Sequence, residues 1–315
     1  MLSAKNLDNQ IEQLWPDNGP STKEVSKYLK KYQNEKIVIK CGGKVLLDPI
    51  LLDGMIGDIA ILKKLGLTPI LVHGGGLGIK KKLDELNIES KFIMGLRVTD
   101  EKMIKIVEEI MIEFNKEIIK ALEKKSCKAK SITIKENNII YVEQENKELG
   151  YVGKPVKVNT DLLNDIIQKD FIPIVTPMGL DQKGQAYNIN ADTTAGALAR
   201  SLKSRRLLLA TDVEGVLDKN EKLISEIRSN EAEKLVNDQT IHGGMIPKIK
   251  TCIEAVNNGV RGVVIIDGRK PHSILFELFS DLGAGTLIRK WKNLNRSSIG
   301  SLILITHYIL EKPKF

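Results

Sequence analysis

Lys40 and Lys248 are the residues of this 315-residue chain whose setting most suggests chemistry, because each cation stands beside glycines. Lys40 ends an apolar run, Ile37-Val38-Ile39, and is followed by Cys41-Gly42-Gly43. A second run of the same kind, Pro69-Ile70-Leu71-Val72-His73, enters Gly74-Gly75-Gly76 and then a helically spaced segment, Ile79 to Leu86. Lys248 follows Gly243-Gly244 on the first turn of another helical segment. Glycines let backbone approach phosphate oxygens, and the free N–H groups of a first helical turn point at them. Two strand-to-glycine turns, one of them with a lysine at its tip, suggest a site for a phosphoryl group in transfer. Such transfer needs in-line positioning and positive charge more than covalent chemistry from the protein.

Other candidates fit around this pair. Asp192, near the start of TTAGALARSL, could orient the two lysines. Arg97, in Gly95-Leu96-Arg97-Val98-Thr99, could grip a carboxylate with its planar fork. Asn188 and Asn190, two apart before a helix, could donate to the same carboxylate. His73 reads as a group that orders its glycine loop through hydrogen bonds. The chain has no G-x-x-x-x-G-K-[ST], H-E-x-x-H or G-x-S-x-G motif. Its four histidines (73, 242, 272, 307) are too far apart in sequence to suggest a metal cage, so none is expected.

The elements that position these groups are legible as an alternation. Strands at 37–40, 69–72, 172–175, 207–210 and 263–266 are separated by helical periods at about 50–65, 100–125, 160–168, 229–236, 247–258 and 272–280. A short strand follows at 286–288. The pattern predicts an α/β fold, an open and mainly parallel sheet between helix layers, with ligands at the C-terminal ends of the strands. Two lobes are expected, 36–182 and 183–290, preceded by a helical extension over 1–35 and followed by a tail over 291–315. Residues 131–142 read as a hairpin, either a lid or an edge extension. Val25, Tyr28, Leu29 and Tyr32 form an apolar stripe before the first strand. That stripe could pack on its own domain or on another subunit.

Bulk properties exclude several classes. The net charge is +8, yet the lysines lie along helices (Lys80, Lys81, Lys82; Lys124, Lys125) without interleaved aromatics. Solvated faces, and no nucleic-acid partner, are the reading. Cys41, Cys127 and Cys252 share no metal-like spacing and suit a reducing compartment. Acidic residues near the start (Asp8, Glu12, Asp17) speak against a transit peptide, and no apolar run reaches about 18 residues. A soluble protein with no membrane partner is expected, cytoplasmic, or in a plastid stroma if organelle-encoded.

The ordered set IVIKCGG, PILVHGGG, MGLRVTD, NINADTTAGALA, LLLATDVEGVLD, GGMIPKI and IIDGRKPH, spanning about 36 to 290, resembles the amino acid kinase family in its N-acetylglutamate kinase branch. The resemblance implies ATP-dependent phosphorylation of the side-chain carboxylate of N-acetyl-L-glutamate, the second step of arginine biosynthesis. It implies that Lys40 and Lys248 stabilise the moving phosphoryl, that Asp192 holds them, and that Gly42, Gly43, Gly74 and Gly75 cradle it. Gly75, Gly76, Arg97, Asn188 and Asn190 would bind the acceptor. Thr211, Asp212, Gly244, Met245 and Lys248 would attend the nucleotide, with Mg²⁺ carried mainly by the phosphates. The N-terminal segment is similar to the extra helix of arginine-inhibited members, where it interlaces dimers into a hexamer. Tyr28, Arg206, Glu277 and Gly283 match their effector positions. Val264 stands where a histidine is usual and Lys27 where a proline is, which points to weakened inhibition. Some such relatives also answer to a PII signalling protein. Carbamate and other carboxylate kinases share the glycine turns and are the enzyme alternative. An arginine sensor without catalysis is the other reading, against which both lysines and Asp192 stand.

Overall fold

The apolar runs become the centre of one eight-stranded sheet in a computed structural model, which describes residue 11 and residues 13–291. The sheet contains β1 (Lys36–Cys41), β2 (Thr68–His73), β5 (Ala129–Ile132), β8 (Ile172–Val175), β11 (Arg206–Thr211), β12 (Glu226–Arg228), β13 (Val263–Asp267) and β14 (Gly285–Arg289). Their order is β12-β14-β13-β11-β1-β2-β8-β5. Every neighbouring pair is parallel except β13 and β14. A four-stranded sheet, β10-β9-β6-β7, joins β6 (Ile140–Gln144), β7 (Gly153–Val158), β9 (Met178–Leu180) and β10 (Ala186–Asn188). A small hairpin pairs β3 (Phe92–Ile93) with β4 (Leu96–Arg97).

The central strands are buried on both faces, which is why they are continuous apolar runs rather than alternating ones. Successive residues feed opposite layers. Ile37, Ile39, Leu208, Val264 and Ile266 join one core cluster, with residues of α1 (Thr22–Tyr32), α3 (Pro49–Lys64) and α10 (Ser273–Phe279). Val38, Leu207, Leu209, Val263 and Ile265 join the other, with residues of α6 (Thr160–Gln168), α7 (Ala191–Ser201), α8 (Ser229–Asn237) and α9 (Met245–Asn257). The remaining helices are α2 (Gly43–Leu47), α4 (Gly76–Glu85) and α5 (Glu101–Lys124).

Short polar side chains fix where the helices start. Asp48 accepts from the N–H groups of Ile50 and Leu51, and Pro49 takes the first helical position of α3. Asp100 caps the long helix α5, accepting from the Met103 N–H at 2.8 Å. Asn190 accepts from both Asp192 and Thr193, setting the entry to α7.

One expectation is corrected, and the structure bears on two others. Residues 131–142 are not a hairpin, because β5 pairs with β8 in the large sheet while β6 pairs with β7 in the small one. Alternation along the chain shows strand character but not which partner a strand will take. The apolar stripe before β1 packs within its own chain. Val25, Leu29 and Tyr32 are buried, and the Tyr32 ring meets Phe279 of α10 edge-on at 6.2 Å. β9 and β10 pair with each other, so the small sheet runs across the expected boundary at 182/183. The tail beyond 291 lies outside the described residues. Among the described residues no helix is long and apolar enough to cross a membrane.

Candidate active site

The site forms where β1 and β2 end side by side, with Cys41 in register with His73. The Gly74 N–H donates to the Cys41 carbonyl at 2.9 Å, tying one glycine turn to the other. None of Gly42, Gly43, Gly74, Gly75 and Gly76 has a positive φ, so conformational freedom is not why these positions need glycine. Closeness accounts for two of them. A Cβ on Gly42 would lie 3.2 Å from the Ala210 carbonyl oxygen, and one on Gly75 would meet the end of Met111 at 2.7 Å. Gly76 and Gly43 begin helices α4 and α2, and their N–H groups are free of any helical partner.

Asp192, on the first turn of α7, sits between the two lysines. Lys248 Nζ is 2.6 Å from Oδ2 and Lys40 Nζ is 3.1 Å from Oδ1. Burial alone would raise the Asp192 carboxyl, but the ammonium groups of Lys40 and Lys248 outweigh it and hold it at about 2. Two cations against one carboxylate leave a surplus positive charge beneath the glycine turns. His73 is completely buried. Its Nδ1 lies 3.1 Å from the Gly74 carbonyl and Asn115 Nδ2 lies 3.4 Å from Nε2. Burial lowers its pKa to about 4, so it is a neutral imidazole that braces the turn.

A cavity of about 410 Å³ opens beside these groups, with Lys40, Gly43 and Gly74–Gly76 in its wall. Arg97, Asn188 and Asn190 line the same cavity. The Arg97 guanidinium is buried, lies 4.7 Å from the Phe92 ring centroid and donates to the Gly76 carbonyl and to Ser90 Oγ. Burial lowers its pKa from the usual arginine range. Phe92 is in register with Arg97 across β3 and β4, so Arg97 stands on a hairpin strand that holds the fork in place. Its turn, Met94-Gly95, takes positive φ at both residues. Methionine is an unusual residue there, which is why sequence reading missed the hairpin and Phe92 with it.

Thr211, Asp212, Gly244 and Met245 lie outside the wall of this cavity. Gly42 connects to that side, since a Cβ on it would lie 3.8 Å from the Thr211 Cα. Asp212 pairs with Lys44 at 2.8 Å, and that hydrogen bond leads the effects that lower its pKa. Lys44 directly follows the glycines and joins the end of β11 to the start of α2. Sequence reading passed over it as one lysine among many. Gly244 precedes α9 and Met245 begins it, three residues before Lys248.

Paired lysines bridged by a buried aspartate, glycine turns at the ends of parallel strands and a neighbouring arginine pocket define a phosphotransferase site. Residues 35–267 match the model of the amino acid kinase family. The acetylglutamate kinase of Pelagibacter ubique (strain HTCC1062) is 57% identical over 283 residues, covering 90% of this chain and 98% of that protein. The acetylglutamate kinase of Bartonella henselae is 42% identical over 296 residues, covering 90% and 98%. Among solved structures, N-acetylglutamate synthase from Neisseria gonorrhoeae superposes with a TM-score of 0.78 at 22% identity, over 93% of this chain and 70% of that one. Carbamate kinase from Giardia lamblia superposes at 0.63 and 15% identity, over 82% and 99%, a likeness of fold alone. The chain belongs to the amino acid kinase family and, within it, to the acetylglutamate kinase branch, and it is an enzyme.

Proposed function

We propose that the enzyme transfers the γ-phosphoryl group of ATP to the side-chain carboxylate of N-acetyl-L-glutamate, giving N-acetyl-L-glutamyl 5-phosphate. This is the second step of arginine biosynthesis. The observation that carries the reading is the Lys40–Asp192–Lys248 bridge, set beneath two glycine turns and beside an arginine pocket. Arg97 and Asn188 would hold the α-carboxylate, leaving the side-chain carboxylate near Gly75 and Gly76. A carboxylate oxygen attacks the γ-phosphorus and the bond to the bridging oxygen of the leaving diphosphate breaks. Lys40 and Lys248 then neutralise charge spread over the equatorial oxygens, and the N–H groups of Gly43 and Gly75 add donors. Asp192 sets the spacing of the two ammonium groups without joining the chemistry. Thr211, Asp212, Gly244 and Met245 would sit by the nucleotide. Among the described residues no three His, Cys, Asp or Glu side chains are placed to hold a metal ion. Mg²⁺ brought with ATP would therefore be held by phosphate oxygens, where it lowers their charge.

The test is acyl phosphate formation with N-acetyl-L-glutamate, L-glutamate, L-aspartate and carbamate as competing acceptors. A kcat/KM highest for N-acetyl-L-glutamate is expected, and a higher value for any other acceptor would overturn the reading.

Arginine inhibition is the second part of the proposal. Tyr28, Arg206, Glu277 and Gly283, far apart in sequence, all line one cavity of about 210 Å³ between α1, α10 and β14. Burial raises the Glu277 carboxyl against the pull of the Ala284 N–H and of Arg206, Lys31 and Arg289, and a cationic ligand would find there an acid that makes no close ion pair. Val264 is fully buried in β13 and is absent from the cavity wall, so its difference from the usual histidine would act indirectly. A homo-oligomer, hexameric as a trimer of dimers, and a PII partner are carried by the family resemblance. Light scattering of the intact enzyme with and without arginine tests the first.

A further inference from the structure

The edge of the main sheet opposite the active site carries a second concave surface, and its charge is unbalanced. A cleft of about 610 Å³ lies where β11 and β13 begin and β12 and β14 end, about 20 Å, one strand length, from the glycine turns. Arg205, Arg206, Arg228, Arg261, Arg289 and Lys290 line it, and Lys31 approaches from the end of α1. Two carboxylates form ion pairs with them among the described residues, and a third, Glu277, attracts Arg206, Lys31 and Arg289 from farther off. Glu35 is 3.7 Å from Arg205 and 3.5 Å from Arg261, and Glu226 is 3.3 Å from Arg228 and 3.0 Å from Arg289.

Arg206 makes no close ion pair among the described residues, although the buried Glu277 carboxylate lies near enough for the two to attract. Arg206 is 3% exposed, donates through Nη1 to the Arg205 carbonyl, and has no hydrogen-bond partner for Nε. The Nε of Arg205 is buried and unpartnered too. Burial, then the neighbouring Arg261 and Arg206, lower the Arg205 pKa; burial, then Arg206, Arg205 and Arg289, lower that of Lys31. Buried guanidinium groups that repel one another and keep free donors are costly unless an anion completes them.

We propose that this cleft binds a small phosphorylated polyanion, its phosphates bridging Arg206 at the floor and Arg205, Arg261 and Lys290 at the rim. Planar guanidinium forks accept phosphate oxygens two at a time, and the volume suits a small ligand. The nearby Tyr32 ring is already covered by the guanidinium groups of Arg205 and Arg206, at 5.9 and 5.6 Å, which leaves no platform for a base. Arg205 and Arg261 line this cleft and not the cavity proposed for arginine, so the two sites can be tested separately.

Calorimetric titration of the full-length enzyme with pyrophosphate is the test, at fixed ionic strength and with the active site filled by a non-hydrolysable ATP analogue and Mg²⁺. The wild type should show saturable binding, tighter than for inorganic phosphate. The Arg205→Gln/Arg261→Gln variant should bind roughly tenfold more weakly or worse, with turnover unchanged. Arg261→Gln alone, at a largely exposed side chain outside the core, should give part of that loss. Absence of saturable binding once the active site is filled, or equal affinity in wild type and both variants, would overturn the proposal.

Discussion

At the scale of single residues, the proposed site would keep charge in place before substrate arrives. Asp192, held at about 2, is ionised at any working pH, so Lys40 and Lys248 keep a fixed anchor. Replacing either lysine by alanine removes a preorganised donor to transition-state charge, which should cost about 3–4 kcal/mol, or 10²–10³ in kcat. ATP binding should weaken much less, and a variant keeping half of wild-type turnover would remove that lysine from the mechanism. Arg97→Lys separates charge from shape. A lysine keeps the cation but loses the planar fork, its stacking on Phe92 and its bond to the Gly76 carbonyl. Acceptor KM should rise well before ATP KM does, and equal rises would place Arg97 elsewhere. Both lysines, Asp192 and Arg97 were legible in the sequence, because glycines and short polar residues at strand ends leave a chemical signature. Phe92, Lys44 and Asn115 were not. Their roles come from partners 5, 168 and 42 residues away, which no local pattern records.

Elements follow the same division. Helices with a clear period and a capping residue were placed to within a residue or two, as with Asp100 before α5 and Pro49 in α3. Strands buried on both faces were legible as apolar runs, but their order was not, since β11 crosses the whole first half to pair with β1. The short β9, β10 and β12 were missed because three-residue strands carry too few positions to show alternation. The N-terminal stripe shows how a correct pattern leaves the partner open. Its spacing gave an amphipathic helix, and its partner is Phe279 of the same chain, which Trp15 also meets at 5.6 Å. Tyr32→Ala should therefore act as a core truncation, lowering stability by about 3–5 kcal/mol. Chemical denaturation checks this. A loss under about 1 kcal/mol with a changed assembly mass would instead make Tyr32 an interface residue.

For the molecule as a whole, the active site stands at the C-terminal edge of the sheet and its support reaches into the core through His73. That placement ties stability to pH in a definite direction. In the unfolded chain the histidine titrates near its ordinary 6.5, whereas the buried imidazole takes a proton only at about 4. Above about 6.5 both states are neutral and the group contributes nothing. As pH falls below that, the unfolded state gains a proton that the native state refuses, so stability drops until about pH 4. The difference of roughly 2.5 pH units corresponds to about 3 kcal/mol lost over the window. His272 acts the other way. Its hydrogen bond to Asp58, at 2.7 Å, raises its pKa, so its contribution is present at low pH and lost as pH rises through the raised value. Wild-type stability between pH 7 and 4 mixes these opposing terms, and a variant is needed to separate them. His73→Asn keeps a donor that can reach the Gly74 carbonyl but cannot titrate. It should be less stable than wild type at pH 7, where the lost packing counts, and should close most of that gap by pH 4. Urea denaturation at several pH values reads the difference directly. A gap that stays constant from pH 7 to 4 would mean that native His73 takes up its proton over the same range as in the unfolded chain, and that the brace beneath the glycine turns is not held neutral.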